Sequence, residues 1–437
     1  MEAEARGYRA YRGEAVNTAR RGGLNLSDYV THPSMDILSE VNNYIEGKTI
    51  VLGVTASVAL YRSLDLARWL LRRGARVITV MTPEAAKLVS PEMFHWASGG
   101  PVYTGFTGGV EHISIARAAS AMVVAPATLS TLAKIAHGVV DNPVALAAVS
   151  IMGYGKPVIA VPAMHGNMYE SPQAREVVDR LRSQGVLVVD PKIEGGVAKY
   201  PDTHAVGRIT AAQARKGLRD LEGIRALVTL GSTREWIDRV RFISNPSSGV
   251  MGLEAALELY ARGAEVDVVA GYTSVEIPHL FNTVKTETTE DMAAAVEELT
   301  SKREYDAVVA AAAPVDFRPA GAFEGKIRSG QRLVLELEPT PKVLEGIARR
   351  PKVLVAFAAE YVDNLDSLRD PALEKMEKYD ADLVVANRVG VEGVGFASPL
   401  LDVLMLDKSG EAVLKGSFHK EIVAAVIADE IAKLLSR

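Results

Sequence analysis

From Lys48 onward, short runs of apolar residues alternate with longer stretches in which apolar positions recur every three or four residues. The short runs read as buried strands and the longer ones as amphipathic helices. KTIVLGV (48–54) opens the series, and a helical stretch from Val58 to Arg72 follows it. ARVITVMT (75–82), AMVVAPA (121–127), KPVIAVPA (156–163) and GVLVVD (185–190) supply further strands. A polar helix over His204 to Leu221 then bridges to a second series: RALVTL (225–230), AEVDVVAG (264–271), DAVVAAAAPVDF (306–317), KVLVAFAAE (352–360) and ADLVVANRV (381–389). The chain closes with a hairpin around 400–416, turning at Asp407 to Gly410, and a helix from Lys420 to Leu435. Strands alternating with helices predict parallel sheets covered on both faces. The expected architecture is α/β: a flavodoxin-like, Rossmann-type domain over 47–200, a linker over 201–222, and a second Rossmann-like domain with an antiparallel edge over 223–437. Residues 1–46 are charged and turn-rich and read as an extension that docks weakly or frays.

Length and composition narrow the classes. A chain of 437 residues is too long for one core, so two domains are expected. With 48% hydrophobic and 24% charged residues and a net charge of −5, cations interspersed among acids form no nucleic-acid footprint. No run approaches the roughly 20 apolar residues of a membrane span, and the N-terminus is charged where a signal peptide is apolar. A cytoplasmic enzyme is the expectation. The absence of cysteine excludes disulfides, thiolate metal sites and cysteine nucleophiles. None of the eight histidines falls at metal-ligand spacing, so a catalytic metal would be a hard cation held mainly through substrate phosphates, with no protein metal site.

Parallel sheets collect ligands at the carboxyl ends of their strands. In the first domain those ends carry Gly53, Thr55 and Ser57, then Thr82, then Pro126, Thr128, Ser130 and Thr131, then Met164, His165 and Asn167. Such residues serve either as helix caps or as a mononucleotide site. The first turn has hydroxyls where a dinucleotide fingerprint has glycines, which fits one phosphate, hence FMN rather than NAD or FAD. In the second domain the run Arg241 to Gly252 packs Asn245 with Ser244, Ser247, Ser248, Gly249 and Gly252 between a strand and a helix. It reads either as a capped connection or as a site for a phosphate or carboxylate. Arg234 and Arg241 offer bidentate anion binding, and Asp316 is followed by Lys326 and Arg328. The stretch Glu374 to Lys378 reads as a solvated helix face with an i,i+4 ion pair.

These residues together resemble a known family. Gly53-Val-Thr-Ala-Ser57, Glu111-His112-Ile113, Pro126 to Thr131, Pro162 to Met168 and Leu132 to Gly138 are similar to signatures of flavin-dependent cysteine decarboxylases. Gly231, Thr233-Arg234-Glu235, Arg241 and Asn245 resemble the nucleotide-dependent half of the bifunctional phosphopantothenoylcysteine decarboxylase/phosphopantothenate–cysteine ligases. The resemblance runs from about Lys48 to Asp190 and from about Arg225 to Asp407. It implies ligation of cysteine to 4′-phosphopantothenate with CTP and Mg2+ through an acyl-cytidylate, then FMN-dependent decarboxylation. By resemblance His112 is the active-site base of the decarboxylase, and His165 stands where the family has the Asn that holds the substrate carboxylate, with Asn167 a second candidate. The resemblance likewise implies that Asn245 stabilises the acyl intermediate and that Arg234, Arg241, Ser247, Ser248, Gly249, Asp316, Lys326, Phe357 and Lys375 bind nucleotide or substrate. The family pattern also implies a homo-oligomer, trimeric through flavin domains and dimeric through ligase domains.

Several positions depart from that pattern. Tyr169 replaces a Trp, Ser130 an amide, Val250 the Lys after the Ser-Ser-Gly turn, and Tyr379 a helix Lys, with Lys378 beside it. The flap after Asp190 has no cysteine, leaving Lys192, Lys199, Tyr200 or water to donate a proton. Archaeal-looking members share the His and the cysteine-free flap. The alternative is a ligase fused to a non-catalytic or regulatory flavin-binding domain.

Overall fold

The structure, a computed structural model, describes residues 32–436 apart from positions 218, 322, 331 and 397. Most of the expected N-terminal extension, residues 1–31, lies outside the described residues. The chain divides into two compact units, Met1–Leu218 and Arg219–Arg437. Among the described residues no helix is long and apolar enough to cross a membrane.

The first unit is built on six strands: β1 (Thr49–Val54), β2 (Arg76–Met81), β3 (Val102–Tyr103), β4 (Ala121–Ala127), β5 (Val158–Pro162) and β6 (Leu187–Val188). They pair in parallel in the order β3-β2-β1-β4-β5-β6. Strands covered on both faces need apolar side chains at every position, which is why β1 and β4 read as unbroken apolar runs. All seven residues of β4 are buried, and Met122 and Val124 pack with Val51, Leu132 and Val144 in one core cluster. The apolar stretch after β1 becomes a short 3-10 turn, Val58–Tyr61, and then helix α1 (Arg62–Leu71). Helices α2 (Glu111–Ala118) and α3 (Leu129–His137) flank β4 in sequence.

Two expectations change here. The part of the N-terminal extension that is described packs firmly: Tyr44 and Ile45 are buried, and the Val41 and Ile45 amides donate to Arg72 O and Arg73 O, both at 3.0 Å. The expected linker contains helix α4 (Thr203–Lys216), capped by Asp202, which accepts from the His204 and Ala205 amides at 2.9 and 3.2 Å. It packs on α1 and β4, so it belongs with the first unit. The fit is close: a Cβ on Gly207 would lie 2.5 Å from the Trp69 ring. Gly207→Val should therefore destabilise this unit by about 1–3 kcal/mol through overpacking, seen as a lower unfolding midpoint; an unchanged midpoint would show the helix free to shift.

The second unit holds β7 (Arg225–Leu230), β8 (Glu265–Ala270), β9 (Asn282–Lys285), β10 (Ala307–Ala310), β11 (Val353–Glu360), β12 (Leu383–Arg388), β13 (Leu400–Asp407) and β14 (Ala412–His419). The order is β9-β8-β7-β10-β11-β12-β13-β14, parallel through β12, with β13 and β14 antiparallel at the edge. Helices α5 (Val250–Ala261), α6 (Arg369–Tyr379) and α7 (Lys420–Leu435) complete the elements that reach the site described below. Two small antiparallel pairs lie outside the sheet: Arg234–Trp236 with Phe242–Ser244, and Phe317–Pro319 with Leu337–Pro339. Both sheets thus reverse their winding between the first and fourth strands, and a crevice opens at that point beyond the strand ends.

Candidate functional sites

In the first unit the crevice lies between the ends of β1 and β4, and one hydroxyl builds it. Thr55, 1% exposed, donates to Pro126 O at 2.8 Å and accepts from the Thr128 amide at 3.0 Å. Thr128 then donates to Thr131 Oγ1 at 3.3 Å in the first turn of α3, with Ser130 exposed between them. Ser57 donates to Ala163 O at 3.4 Å and ties in the end of β5. Thr82, after β2, is buried and accepts from the Ala85 amide at 3.2 Å, a helix cap. Gly53 is part of β1, where a Cβ would meet Met122 Cε at 2.8 Å, so glycine here serves the packing of the sheet.

Beyond β5, Met164 and His165 pair with Ala198 and Val197 of the flap, and the Gly166 amide donates to Gly196 O at 2.7 Å. The glycine-tipped hairpin, Lys192–Glu194 with Val197–Lys199, is thereby laid along His165. His165 and Asn167 are exposed. Tyr169 donates to Asp190 Oδ1 at 2.6 Å. On the flap, Lys199 and Lys192 reach Glu194 at 2.7 and 3.9 Å, and the Lys199 hydrogen bond, then the two lysine charges, hold its carboxyl below the usual range. Tyr200 is buried with no partner for its hydroxyl among the described residues, and burial pushes that hydroxyl's pKa up.

His112 is the second residue of α2. The preceding Val110 adopts φ +52°, a left-handed conformation unusual for a β-branched residue. Strain of about 1–3 kcal/mol of this kind collects at functional sites. The His112 ring lies 5.7 Å from Phe106, and its Nδ1 is buried with no hydrogen-bond partner among the described residues. Ser57, Thr128, Ser130 and Thr131 at the strand ends offer hydroxyls and amides that suit the single phosphate of a flavin mononucleotide, and the orphaned His112 nitrogen is available for proton transfer.

In the second unit a cavity of about 410 Å³ occupies the crevice between β7 and β10. The turn before α5 forms one wall. Gly249 takes φ +81° and a Cβ there would meet Thr273 Cγ2 at 2.7 Å, so only glycine lets the turn close over the strand ends. Ser248 donates to Phe396 O at 3.0 Å. Asn245 donates through Nδ2 to Ala313 O at 3.2 Å and Pro314 O at 3.0 Å, fastening the turn to the backbone that leaves β10. The opposite wall carries charge. Lys342 donates to Asp316 at 2.6 Å. Burial lowers the Lys375 pKa, opposed by Glu360 and Asp316. Phe357 and Tyr379 also line the cavity, and Lys378 points elsewhere, to Glu345 at 3.5 Å.

Of the residues expected here, Asn245, Ser247, Ser248, Gly249, Asp316, Phe357 and Lys375 come together in this cavity, whereas Arg234, Arg241 and Lys326 stand outside it. The Arg234 guanidinium lies over the Tyr272 ring at 3.7 Å and the Phe242 ring at 4.5 Å, beside a separate cavity of about 280 Å³. Arg241 donates to Asp238 at 3.1 Å and to Ile327 O at 3.1 Å, fastening the segment that bears the exposed Lys326. Against the pull of burial, the Val240, Ile327 and Arg241 amides hold the Asp238 carboxyl below its ordinary range. The cavity also holds residues that sequence reasoning passed over: Lys342, Glu360, Asn387 and Lys420. Lys420 is 4% exposed, donates to Phe396 O at 2.9 Å, and burial pushes its pKa down to about 8.

Comparison with known proteins agrees with this division. Residues 38–215 match a family described as flavoprotein, and residues 221–435 one described as DNA/pantothenate metabolism flavoprotein C-terminal domain. The chain is 38% identical over 396 residues to the coenzyme A biosynthesis bifunctional protein CoaBC of Thermococcus kodakarensis, covering 89% of this chain and 96% of that one. The protein of the same name from Methanocaldococcus jannaschii is 32% identical over 411 residues, covering 93% and 98%. Among solved structures, the C-terminal domain of a CoaBC protein is 32% identical, covers 50% of this chain and 98% of that chain, and gives a TM-score of 0.41.

Proposed function

This chain belongs to the family of coenzyme A biosynthesis bifunctional proteins, a ligase joined to a flavoprotein decarboxylase, and on that premise we propose how its two sites divide the work. In the second unit, 4′-phosphopantothenate and CTP meet in the cavity between β7 and β10. A carboxylate is a poor electrophile; making it an acyl-cytidylate needs in-line placement, cations on the departing pyrophosphate, and neutral donors near the developing charge. Lys375 and Lys342 face the triphosphate, with Mg2+ carried chiefly by its phosphates and Asp316 within reach. Asn245 sets the geometry by clamping the serine turn to Ala313 and Pro314. Cysteine then displaces CMP.

In the first unit, Ser57, Thr128, Ser130 and Thr131 at the ends of β1, β4 and β5 would hold FMN. When bound, the flavin would supply a reversible two-electron exchange, accepting electrons from the cysteinyl thiol so that the carboxyl can leave as CO2 and returning them to the enethiol so that the cofactor ends unchanged. His112, its Nδ1 without a partner among the described residues, moves the proton, and His165 beside the flap holds the substrate carboxylate. The ligase runs first, because its product is the decarboxylase substrate. A cytoplasmic homo-oligomer, trimeric through flavin domains and dimeric through ligase domains, remains part of the proposal.

The observation that carries this reading is the pairing of two strand-end crevices, one with the orphaned imidazole and one with the lysine-lined cavity. A coupled assay on the full chain tests it. With 4′-phosphopantothenate, CTP, cysteine, Mg2+ and FMN, pyrophosphate should appear first and CO2 after it. Pyrophosphate without CO2 would select the alternative of a non-catalytic or regulatory flavin domain, which the thiol-free flap makes worth testing; neither product would defeat the proposal.

A further inference from the structure

The ligase cavity has an ammonium group that the scheme above leaves unused. Lys420 opens α7 and is more than nine-tenths buried. Its Nζ donates to Phe396 O at 2.9 Å, the same carbonyl that Ser248 reaches at 3.0 Å, so the ammonium sits one oxygen away from the serine turn. That turn offers hydroxyls and the backbone amides of a helix start, but its own side chains, Ser247, Ser248 and Val250, bring no cation.

The three cavity lysines differ in what opposes their charge. Lys342 is paired with Asp316 at 2.6 Å. The charges acting on Lys375 are those of Glu360, Asp316, Lys342 and Lys378, whereas the one acting on Lys420 is that of Glu254. The shared Phe396 O puts Lys420 at the serine turn, while Lys342 stands at Asp316. Among the described residues no carboxylate lies within ion-pair distance of Lys420, and Phe396 O is its one hydrogen-bond acceptor. An ammonium has three donors, so two are unused by the protein. Keeping a cation buried in this way is costly unless an anion meets it.

We propose that Lys420, with the Ser247–Gly249 turn, binds the phosphate of 4′-phosphopantothenate at the serine-turn side of the cavity. The assignment rests on the ligase reading given above. A tetrahedral dianion suits a helix start combined with a point-charge donor, and it leaves Lys342 and Lys375 to the nucleotide. Lys420 is on this view a substrate-binding residue that also steadies the loop through Phe396.

The test uses the full chain, pyrophosphate release, and the variants Lys420→Met and Lys420→Arg. Loss of a charge-assisted contact predicts a rise of about 10- to 100-fold in KM for 4′-phosphopantothenate in the Met variant, a KM for CTP within threefold, and partial recovery in the Arg variant. An unchanged KM for 4′-phosphopantothenate overturns the assignment. So does an equal rise for both substrates, with a lowered unfolding midpoint, which would mark Lys420 as a loop anchor alone. An inactive parent chain would instead defeat the ligase reading itself.

Discussion

Asn245→Asp should lower ligase turnover by about 10²- to 10³-fold while leaving CO2 release from supplied 4′-phosphopantothenoylcysteine unchanged. The side chain differs by one group, yet the geometry makes the change severe. Nδ2 now donates to two carbonyls, Ala313 O at 3.2 Å and Pro314 O at 3.0 Å. A carboxylate in the same rotamer sets negative oxygen against both, and the turn loses its clamp on the backbone beyond β10. Placement for the second step suffers most, so CMP release should fall further than pyrophosphate release and acyl-cytidylate should build up. The pH dependence gives a signature. Two facing carbonyls favour the protonated acid and raise the pKa of the new Asp above its reference near 3.9. Protonated, it can donate to one carbonyl, so the ratio of variant to parent activity should climb as pH falls. CMP release equal to that of the parent at neutral pH would remove Asn245 from the mechanism.

How far the sequence reveals these sites follows from what each depends on. Strands β1, β4, β7 and β11 are legible because parallel strands buried on both faces must be apolar throughout. The edge strands β3 and β9, two and four residues long, carry too short a run to announce themselves. The serine turn and the Thr55 to Thr131 hydroxyls are legible because small polar residues directly after a strand have few other reasons to cluster. Partnerships across the chain are not. Arg234 and Arg241 look like anion ligands by chemistry alone, yet Tyr272 and Phe242 cover the first and Asp238 takes the second. Lys420 is the converse: at the head of a helix it reads as a solvated first-turn residue, and only packing of α7 reveals that its ammonium is enclosed beside Ser248 and Phe396. From the residues alone the His112 imidazole reads more readily as a cap than as a base; the structure shows its Nδ1 unpartnered.

The other large effect lies in the first unit, at Thr55. Its hydroxyl is the single group that donates to Pro126 O and accepts from the Thr128 amide, and it does so out of contact with water, at 1% exposure. Thr55→Val keeps the shape and removes both bonds, leaving a buried carbonyl and a buried amide unsatisfied, each costing about 1–3 kcal/mol. The turn that begins at Thr128 then has nothing to fix it to β1, and the proposed flavin phosphate site is made of that turn. If about 2 kcal/mol of the loss falls on the bound state, flavin affinity drops about 30-fold. The full-length variant should purify nearly colourless and release little CO2, while its pyrophosphate release from 4′-phosphopantothenate and CTP stays at the parent rate. Thr55→Ser separates the hydroxyl from the methyl: it restores both hydrogen bonds and should bring back most of the yellow colour. A fluorescence titration with FMN reads both variants, and a Val variant that binds flavin as tightly as the parent would mean that the crevice between β1 and β4 is not where the cofactor sits.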